Sequence, residues 1–401
     1  MVTPDQARLN QIKLSLQKND LDALILLHPE NILMATGMFP GSSHVVAVVD
    51  VDGKVTVLTP WWREQFVLTE SWADDVACFD WCKPRSQIDP DKAVTDWLKN
   101  WQVGSGIEKI GADLTVHHYS PNKMPSECFT YEKIKKTLGT VFPVARDASH
   151  QINSLKAIKT SKEIEKLRIS HEVIRVGVEV FYQEARVGIR EIDLAAEINA
   201  AVIRMVGHKG SKYVFCEAPQ ITSGSDRTYV ADTLSNHPTP RKIQAGDLVL
   251  LELGAHVDGY WADITRAVVV GTPSDIQVKL HQAVLAGQAA AIEAYYPGKS
   301  TGETLCQSAW TAMREAGFEK GITHFLGHGL GFAYHEDGPT LGPGENVVIC
   351  PGHVTSIEPG LYWRAEDQLI GGVRVEENVV WGCRPKEVEI LSDFYRGLEK
   401  P

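Results

Sequence analysis

Positive charge is in short supply in this chain. Its 40 Lys and Arg are outnumbered by 51 Asp and Glu, for a net charge of −11, and no cluster of basic residues breaks that balance. Nucleic acid is therefore not expected as a partner, because a phosphate backbone is held by concentrated Lys and Arg. Long apolar runs are missing as well. No stretch approaches the roughly 20 residues that cross a bilayer, and the polar, helix-like segment from Met1 to Asp20 lacks the apolar centre of a signal peptide. A cytoplasmic protein without a membrane partner is expected. Cysteine is sparse: Cys78, Cys82, Cys128, Cys216, Cys306, Cys350 and Cys383 make an odd set without CxxC spacing, which reads as reduced thiols. Cys78 and Cys82 are close enough to meet on a helical turn, but no second pair lies nearby to complete a thiolate zinc site.

What the chain does have is length and apolar content. At 401 residues with 43% hydrophobic side chains, it exceeds what one core usually serves, and two domains are expected. Apolar Leu9, Ile12 and Leu16 recur at helical spacing in the opening segment. A short strand follows at Ala23 to Leu27, and β runs at Val45 to Val51 and Val55 to Leu58 flank the turn dipeptide Asp52-Gly53. This part reads as mixed α/β. Between Ser149 and Lys166 the sequence becomes polar and Lys-rich, and Thr160 with Glu163 three residues later has the form of a helix-capping pair. The domains are accordingly placed at 1–157 and 158–401. In the second, helices are expected at Ile164 to Ala185, Ile192 to Met205, Val278 to Ala294 and Thr304 to Glu315. Strands with Gly/Pro turns fill much of the rest, which makes this domain α+β.

The run Leu248-Val249-Leu250-Leu251-Glu252-Leu253-Gly254 reads as a buried strand, yet it contains a carboxylate. A second strand, Tyr260 to Val270, follows a turn at Asp258-Gly259 and carries Asp263. With the turn centred between Val257 and Asp258, Glu252 and Asp263 face each other across the hairpin. Two carboxylates in a dry sheet must share a proton or bind a cation, unless a base such as Arg266 pairs with one of them. Further on, His324, His328 and His335 lie within twelve residues in a Gly-rich segment that leaves an imidazole room to approach a ligand. His324 and His335 are candidates to donate protons to a substrate rather than to bind metal. Glu358 ends a β-like run before Pro359-Gly360. Glu376 alternates with Arg374, which sets both on one face of a strand. Taken singly, each of these residues is equally consistent with a surface or ion-paired role.

Together Glu252, Asp263, His328, Glu358 and Glu376 form an oxygen-rich set with one imidazole. Such a set suits Mn²⁺ best, with Co²⁺ or Fe²⁺ next and Zn²⁺ as a further candidate. One or two ions fit, and a pair roughly 3.5 to 4 Å apart would lower the pKa of a shared water toward about 7.

These segments resemble the "pita-bread" superfamily of Xaa-Pro dipeptidase (prolidase), aminopeptidase P, methionine aminopeptidase and creatinase. The likeness is carried by Gly246 to Gly254, Gly259-Tyr260-Trp261-Ala262-Asp263-Ile264-Thr265-Arg266, Gly327-His328-Gly329 with His335-Glu336, Ile357-Glu358-Pro359-Gly360, and Gly371 to Glu376. It implies a pita-bread catalytic domain preceded by a smaller mixed α/β domain of the creatinase/prolidase type. It also implies that Asp263, His328, Glu358 and Glu376 ligate metal, that Glu358 is the base, that His324 and His335 contact substrate, and that Arg374 orients the site. The reaction implied is hydrolysis of a C–N bond, an Xaa-Pro bond above all, in a dipeptide or short peptide, by a protein that resembles enzymes active as homodimers.

Two departures stand out. The first ligand position, an aspartate in the peptidases, is Glu252, whose extra methylene displaces a carboxylate in a site that tolerates only about ±0.2 Å. The substrate-binding histidine usually found shortly before Gly246-Asp247 has no counterpart at the expected offset, and His237 is the substitute candidate. Both departures motivate an alternative, a creatinase-like hydrolase or lyase acting on a small non-peptide compound with one metal or none. A non-catalytic binding module is a third class. Trp61-Trp62-Arg63 and Phe79 to Trp81 are aromatic enough to line an entrance or an interface, with core packing as the simpler expectation.

Overall fold

The computed structural model describes residues 2–41, 45–80, 90–114, 145–230 and 237–400. The chain divides into two compact units, Met1–Lys156 and Ala157–Pro401. In the first, helices α1 (Gln6–Lys18), α2 (Pro29–Thr36), α3 (Glu64–Glu70), α4 (Pro90–Ser105) and α5 (Ser149–Ala157) accompany strands β1 (Ala23–Leu26), β2 (Val46–Asp50), β3 (Val55–Pro60), β4 (Asp75–Phe79), β5 (Ile110–Ala112) and β6 (Arg146–Asp147). One sheet orders them β4-β3-β2-β1-β5-β6, antiparallel in the β1-β2-β3 meander and parallel elsewhere. β2 and β3 form the hairpin that Asp52-Gly53 announces, with Gly53 at φ 86°. Cys78 lies on β4, so it is on a strand rather than a helical turn, and Cys82 falls outside the described residues. Core packing fails as an account of the tryptophans. Trp61 and Trp62 are 51% and 54% exposed, and the Arg63 guanidinium lies against Trp62 and Phe66. Phe79 is buried, and Trp81 is not among the described residues.

The second unit begins with a helix whose start the sequence states outright. Thr160 accepts from the Glu163 amide, and Glu163 returns the bond to the Thr160 amide, capping α6 (Ser161–Glu184) and satisfying amide donors that have no partner within the helix. Then follow α7 (Glu191–Ile203), β7 (Val214–Cys216), β8 (Gln220–Ser223), α8 (Ser225–Thr228), β9 (Leu248–Val257), β10 (Tyr260–Val269), α9 (Asp275–Glu293) and α10 (Gly302–Glu315). The chain closes with β11 (Gly327–Gly329), β12 (Glu336–Leu341), β13 (Val354–Ile357), β14 (Gly360–Ala365), β15 (Gln368–Arg374), β16 (Glu377–Trp381) and β17 (Val388–Ile390). One sheet runs β10-β9-β7, with β8 also paired to β9; a second runs β12-β11-β13-β16-β17; and β14 pairs with β15. No helix among the described residues is long and apolar enough to cross a membrane.

The hairpin β9–β10 explains where polar groups collect. Alternate residues take opposite faces of a strand. Val249, Leu251, Leu253, Ala262, Ile264 and Val268 share a core with residues of α6 and α7. On the other face Leu248, Leu250, Ala267 and Val269 pack with residues of α9 and α10. Nearer the turn that second face becomes polar and carries Glu252, Asp263 and Thr265.

The pairing register differs from the expected one. Glu252 lies opposite Thr265, and Asp263 opposite Gly254. Asp258 and Gly259 both take positive φ, 50° and 91°, as a type I′ turn requires of its two central residues. The turn is therefore centred between them, one position later than expected. Each partner moves by two residues, which preserves the face. Glu252 and Asp263 become diagonal neighbours instead of a directly opposed pair.

Candidate metal centre

Asp263 is 1% exposed in the middle of β10. Its backbone amide donates to Asn378 Oδ1 at 3.0 Å, while its own Oδ1 is buried without any hydrogen-bond partner. Oδ2 lies 3.5 Å from His328 Nε2. His328 comes from the short strand β11, where its amide donates to Ser356 Oγ at 2.9 Å and its Nδ1 lies 3.1 Å from the Gly329 carbonyl. A hydrogen on Nδ1 directed at that carbonyl leaves Nε2, which faces the acids, as the atom that would ligate a metal after giving up its own hydrogen. Glu358 follows β13, its Oε1 lying 3.3 Å from His328 Nε2 and accepting from Ser356 Oγ at 3.0 Å. Glu376, between β15 and β16, is 1% exposed, and its Oε2 lies 3.0 Å from Thr265 Oγ1.

Three overlapping groups result: Glu252, Asp263 and Glu376; His328, Glu358 and Glu376; and Asp263, His328 and His335. Within each group the candidate ligand atoms lie within 4.8 Å of one another. All five expected ligands are thus brought together, and the donor set with the unpartnered Asp263 Oδ1 fits a divalent cation. An uncompensated cluster of buried acids cannot stay ionised. Burial and the Glu252 charge push Asp263 up to about 8. Burial and the charges of Asp263, Glu358 and Glu252 hold Glu376 far above the ordinary carboxylate range. Burial opposes protonation of His328, but its hydrogen bonds to Asp263 and Glu358 outweigh that and raise it well above the usual imidazole value. Glu358 goes the other way: burial would raise it, yet His328, Arg374 and His324 bring it to about 2.

These shifts make the metal-free protein pH-sensitive in a stated direction. Asp263 holds its proton in the folded state up to about 8 but releases it near 3.8 when unfolded. Stability present near pH 4 is thus lost as pH rises toward 8. Glu376 and His328, also raised, act in the same sense, and Glu358 contributes no slope above about pH 4.5 because it is ionised in both states there. The chelator-treated protein is expected to melt at progressively lower temperature from pH 5 to pH 8, and saturating Mn²⁺ is expected to reverse the loss at pH 8, since ligation takes the deprotonated acids. A melting temperature that is flat over this range, and unmoved by Mn²⁺, would contradict the electrostatic account.

Glu252 is held differently from the other acids. Tyr334 Oη donates to its Oε1 at 2.7 Å, while its Oε2 accepts from Arg374 Nη2 at 2.8 Å and from Thr265 Oγ1. Gly254 makes room for this, because a Cβ there would lie 2.3 Å from the Tyr334 ring. Arg374 continues to Thr265 Oγ1 at 3.0 Å and to Tyr362 Oη at 3.0 Å, and Tyr362 Oη lies 3.3 Å from His324 Nε2. His324 Nδ1 is 2.8 Å from the Phe325 carbonyl, so the hydrogen sits on Nδ1 and Nε2 receives Tyr362. His335 stacks on Tyr334, with ring centroids 5.0 Å apart, and lies 3.7 Å from the His328 ring. Burial and the neighbouring His328 charge take His335 down to about 3, and burial lowers His324. Both rings are therefore neutral near pH 7.

His237 is not drawn in. Its side chain is exposed, it belongs to none of the three ligand groups, and its carbonyl accepts from Arg227. The alternative in which a base pairs with one of the two strand acids holds for Glu252, but the base is Arg374 rather than Arg266. Arg266 has the opposite parity to Asp263 and Thr265, points to the other face of β10, and pairs with Glu377 at 3.0 Å. Sequence reasoning missed Thr265, Tyr334, Tyr362 and Asn378. Thr265 was within reach, two residues after Asp263 on the same face, whereas nothing local marks Tyr334 or Asn378.

A buried set of acids and one imidazole, with an acid oxygen left unpartnered, defines a centre of the metal-dependent hydrolase class. The chain belongs to metallopeptidase family M24, whose model matches residues 165–381; the creatinase/prolidase N-terminal domain matches residues 8–169. Among curated relatives, a Xaa-Pro dipeptidase of Pyrococcus horikoshii is 31% identical over 91% of this chain and 91% of its own length. Another, from Pyrococcus furiosus, is 27% identical over 93% of this chain and 94% of its own. The solved prolidase of Pyrococcus furiosus superposes with a TM-score of 0.73 at 26% identity, covering 96% of this chain and 100% of that one. The pita-bread architecture with its mixed α/β N-terminal domain is thereby established.

Proposed function

We propose that this chain is a Mn²⁺-dependent Xaa-Pro dipeptidase of the cytoplasm, working as a homodimer, with residues 1–157 as its N-terminal domain and 158–401 as its catalytic domain. The observation that carries the proposal is the unpartnered Oδ1 of Asp263 within a buried set of acids. Full-length likeness to proteins named Xaa-Pro dipeptidase supports the substrate class. Asp263, His328, Glu358 and Glu376 would hold metal, with Glu252 as the fifth ligand. A bound divalent cation supplies Lewis acidity, which polarises an amide carbonyl and makes water a stronger acid.

The chain's own groups do the remaining work. Glu358, with 16% of its side chain exposed against 2% for Asp263, is within reach of water, and it is ionised at neutral pH. It takes the proton of the attacking water and returns it to the leaving nitrogen. Neutral His335, beside His328, is placed to donate a hydrogen bond to the developing oxyanion. Arg374 fixes Glu252 and Tyr362, and through Tyr362 it orients His324 at the substrate side. His237, if it meets substrate, has to do so from an exposed loop.

One observation favours a variant reading with a single ion. Both oxygens of Glu252 already accept hydrogen bonds from Tyr334, Arg374 and Thr265, so the position built on Glu252, Asp263 and Glu376 is the weaker one. The test is metal removal and return. The stripped protein is expected not to hydrolyse Xaa-Pro dipeptides, and Mn²⁺ to restore the activity. Elemental analysis is expected to find one firmly held ion per chain and a second only in excess metal. Undiminished hydrolysis by the stripped protein would rule the proposal out. A reconstituted protein that retains no ion and ignores Xaa-Pro substrates would favour the creatinase-like alternative instead.

A further inference from the structure

Behind the metal centre, α6 turns a histidine inward. His171 is 1% exposed, with Nε2 2.7 Å from Asn378 Oδ1 and Nδ1 2.7 Å from the Leu167 carbonyl one turn back. Asn378, fully buried on β16, uses the rest of its carboxamide on two candidate ligands. Its Oδ1 accepts the Asp263 amide at 3.0 Å, and its Nδ2 approaches Glu376 Oε1 at 3.4 Å. Reversing the carboxamide would set an NH₂ against the Asp263 N–H and an oxygen against the Glu376 carboxylate, so the neighbours fix its orientation. Asn378 Oδ1 therefore faces His171 Nε2, which bonds to it in the form that carries a hydrogen there; the Leu167 carbonyl at Nδ1 competes for that hydrogen when the ring is neutral.

We propose that His171 and Asn378 are a positioning pair that sets the affinity of the metal centre without touching the ion. Asp263 and Glu376 lie on separate segments of chain, and a single carboxamide bonds to both. Its rotation is limited by the hydrogen bond from His171. Remove that bond and the carboxamide is held by those two contacts alone, so the Glu376 oxygen it steadies and the backbone of Asp263 it anchors are placed less firmly. Partners of this kind, one contact removed from the ion, typically account for about 10- to 100-fold in metal affinity. The pair rests on the reading of the acids as metal ligands, and wild-type binding tests that reading separately.

The experiment uses the full chain, stripped of metal and titrated at fixed pH with Co²⁺, followed by its visible absorption, and with Mn²⁺ in competition with a fluorescent chelator. His171→Phe fills the same space without a donor. It is expected to weaken both metals by about 10- to 100-fold and to alter the Co²⁺ band. His171→Gln keeps an N–H able to reach Asn378 and is expected to bind close to wild type with the wild-type band. Wild-type affinity and spectrum in His171→Phe would overturn the pair, as would a His171→Gln weakened as much as His171→Phe, because simple loss of core packing would treat both alike. Should His171→Phe fail to fold, Asn378→Ser removes the bridge from the other side and is expected to show the same weakening; unchanged affinity there overturns the proposal. A wild type that binds neither metal overturns the metal-dependent reading and the pair with it.

Discussion

Glu358→Gln is expected to lower kcat for Xaa-Pro dipeptides by about 10²- to 10⁴-fold, the usual contribution of a positioned general base. The substitution keeps the shape and one oxygen but removes the charge. Wild-type Glu358 is brought to about 2 because His328, Arg374 and His324 outweigh its burial, so it is ionised at neutral pH, as a base must be. An amide has no comparable basicity. Ser356 Oγ and His328 Nε2 both meet Oε1, and the retained oxygen can keep those contacts. KM is therefore expected to change little. Kinetics measured alongside metal content separate loss of a base from loss of a ligand. A variant that retains metal and turns over at the wild-type rate would remove Glu358 from the base role.

Arg266→Met is expected to destabilise the protein by about 3–5 kcal/mol, the range found when one partner of a buried ion pair is deleted. Arg266 is wholly buried. Its guanidinium bonds to Glu377 Oε1 at 3.0 Å, to the carbonyls of Tyr395, Ser392 and Thr265 at 2.9, 3.1 and 3.1 Å, and to the carbonyl of Glu376. Deleting it strands an acid and several carbonyls. Burial already raises Glu377, even with Arg266 and Ser392 pulling it down. Without Arg266 that acid takes up a proton, and the deficit grows as pH rises and the proton must leave. Denaturant unfolding of the metal-free protein at pH 6 and pH 8 measures both effects. Arg266→Met combined with Glu377→Leu is expected to recover part of the loss, since paired replacement of a buried ion pair leaves no bare charge. A single variant as stable as wild type would contradict the account.

Much of this centre was legible in the chain, and the reason differs from residue to residue. The helix start at Thr160 was readable because a capping box needs only four adjacent residues. Glu252 and Asp263 were assignable to one face because the alternation along a strand is strict. The opposing pair was not read correctly, since register depends on which two residues the turn places at its centre, and Asp258-Gly259 settles that through positive φ. Arg266 illustrates the other limit. From the sequence it was an equally good partner for a site acid, but odd and even positions on β10 point to different sides, and its own partner, Glu377, is more than a hundred residues away.

Alternation, turn chemistry and capping act over a few bonds, so the sequence alone determined which side chains share a face and where helices begin, and it presented several acids and an imidazole as candidate ligands. Tertiary structure decided which of them touch. It placed Tyr334 and Arg374 on Glu252, left Asp263 Oδ1 bare, turned Arg266 toward Glu377, and set His171 behind Asn378 across 207 residues of chain. Those contacts depend on how whole helices and sheets bury their apolar faces against one another, a sum over many side chains that no short segment contains.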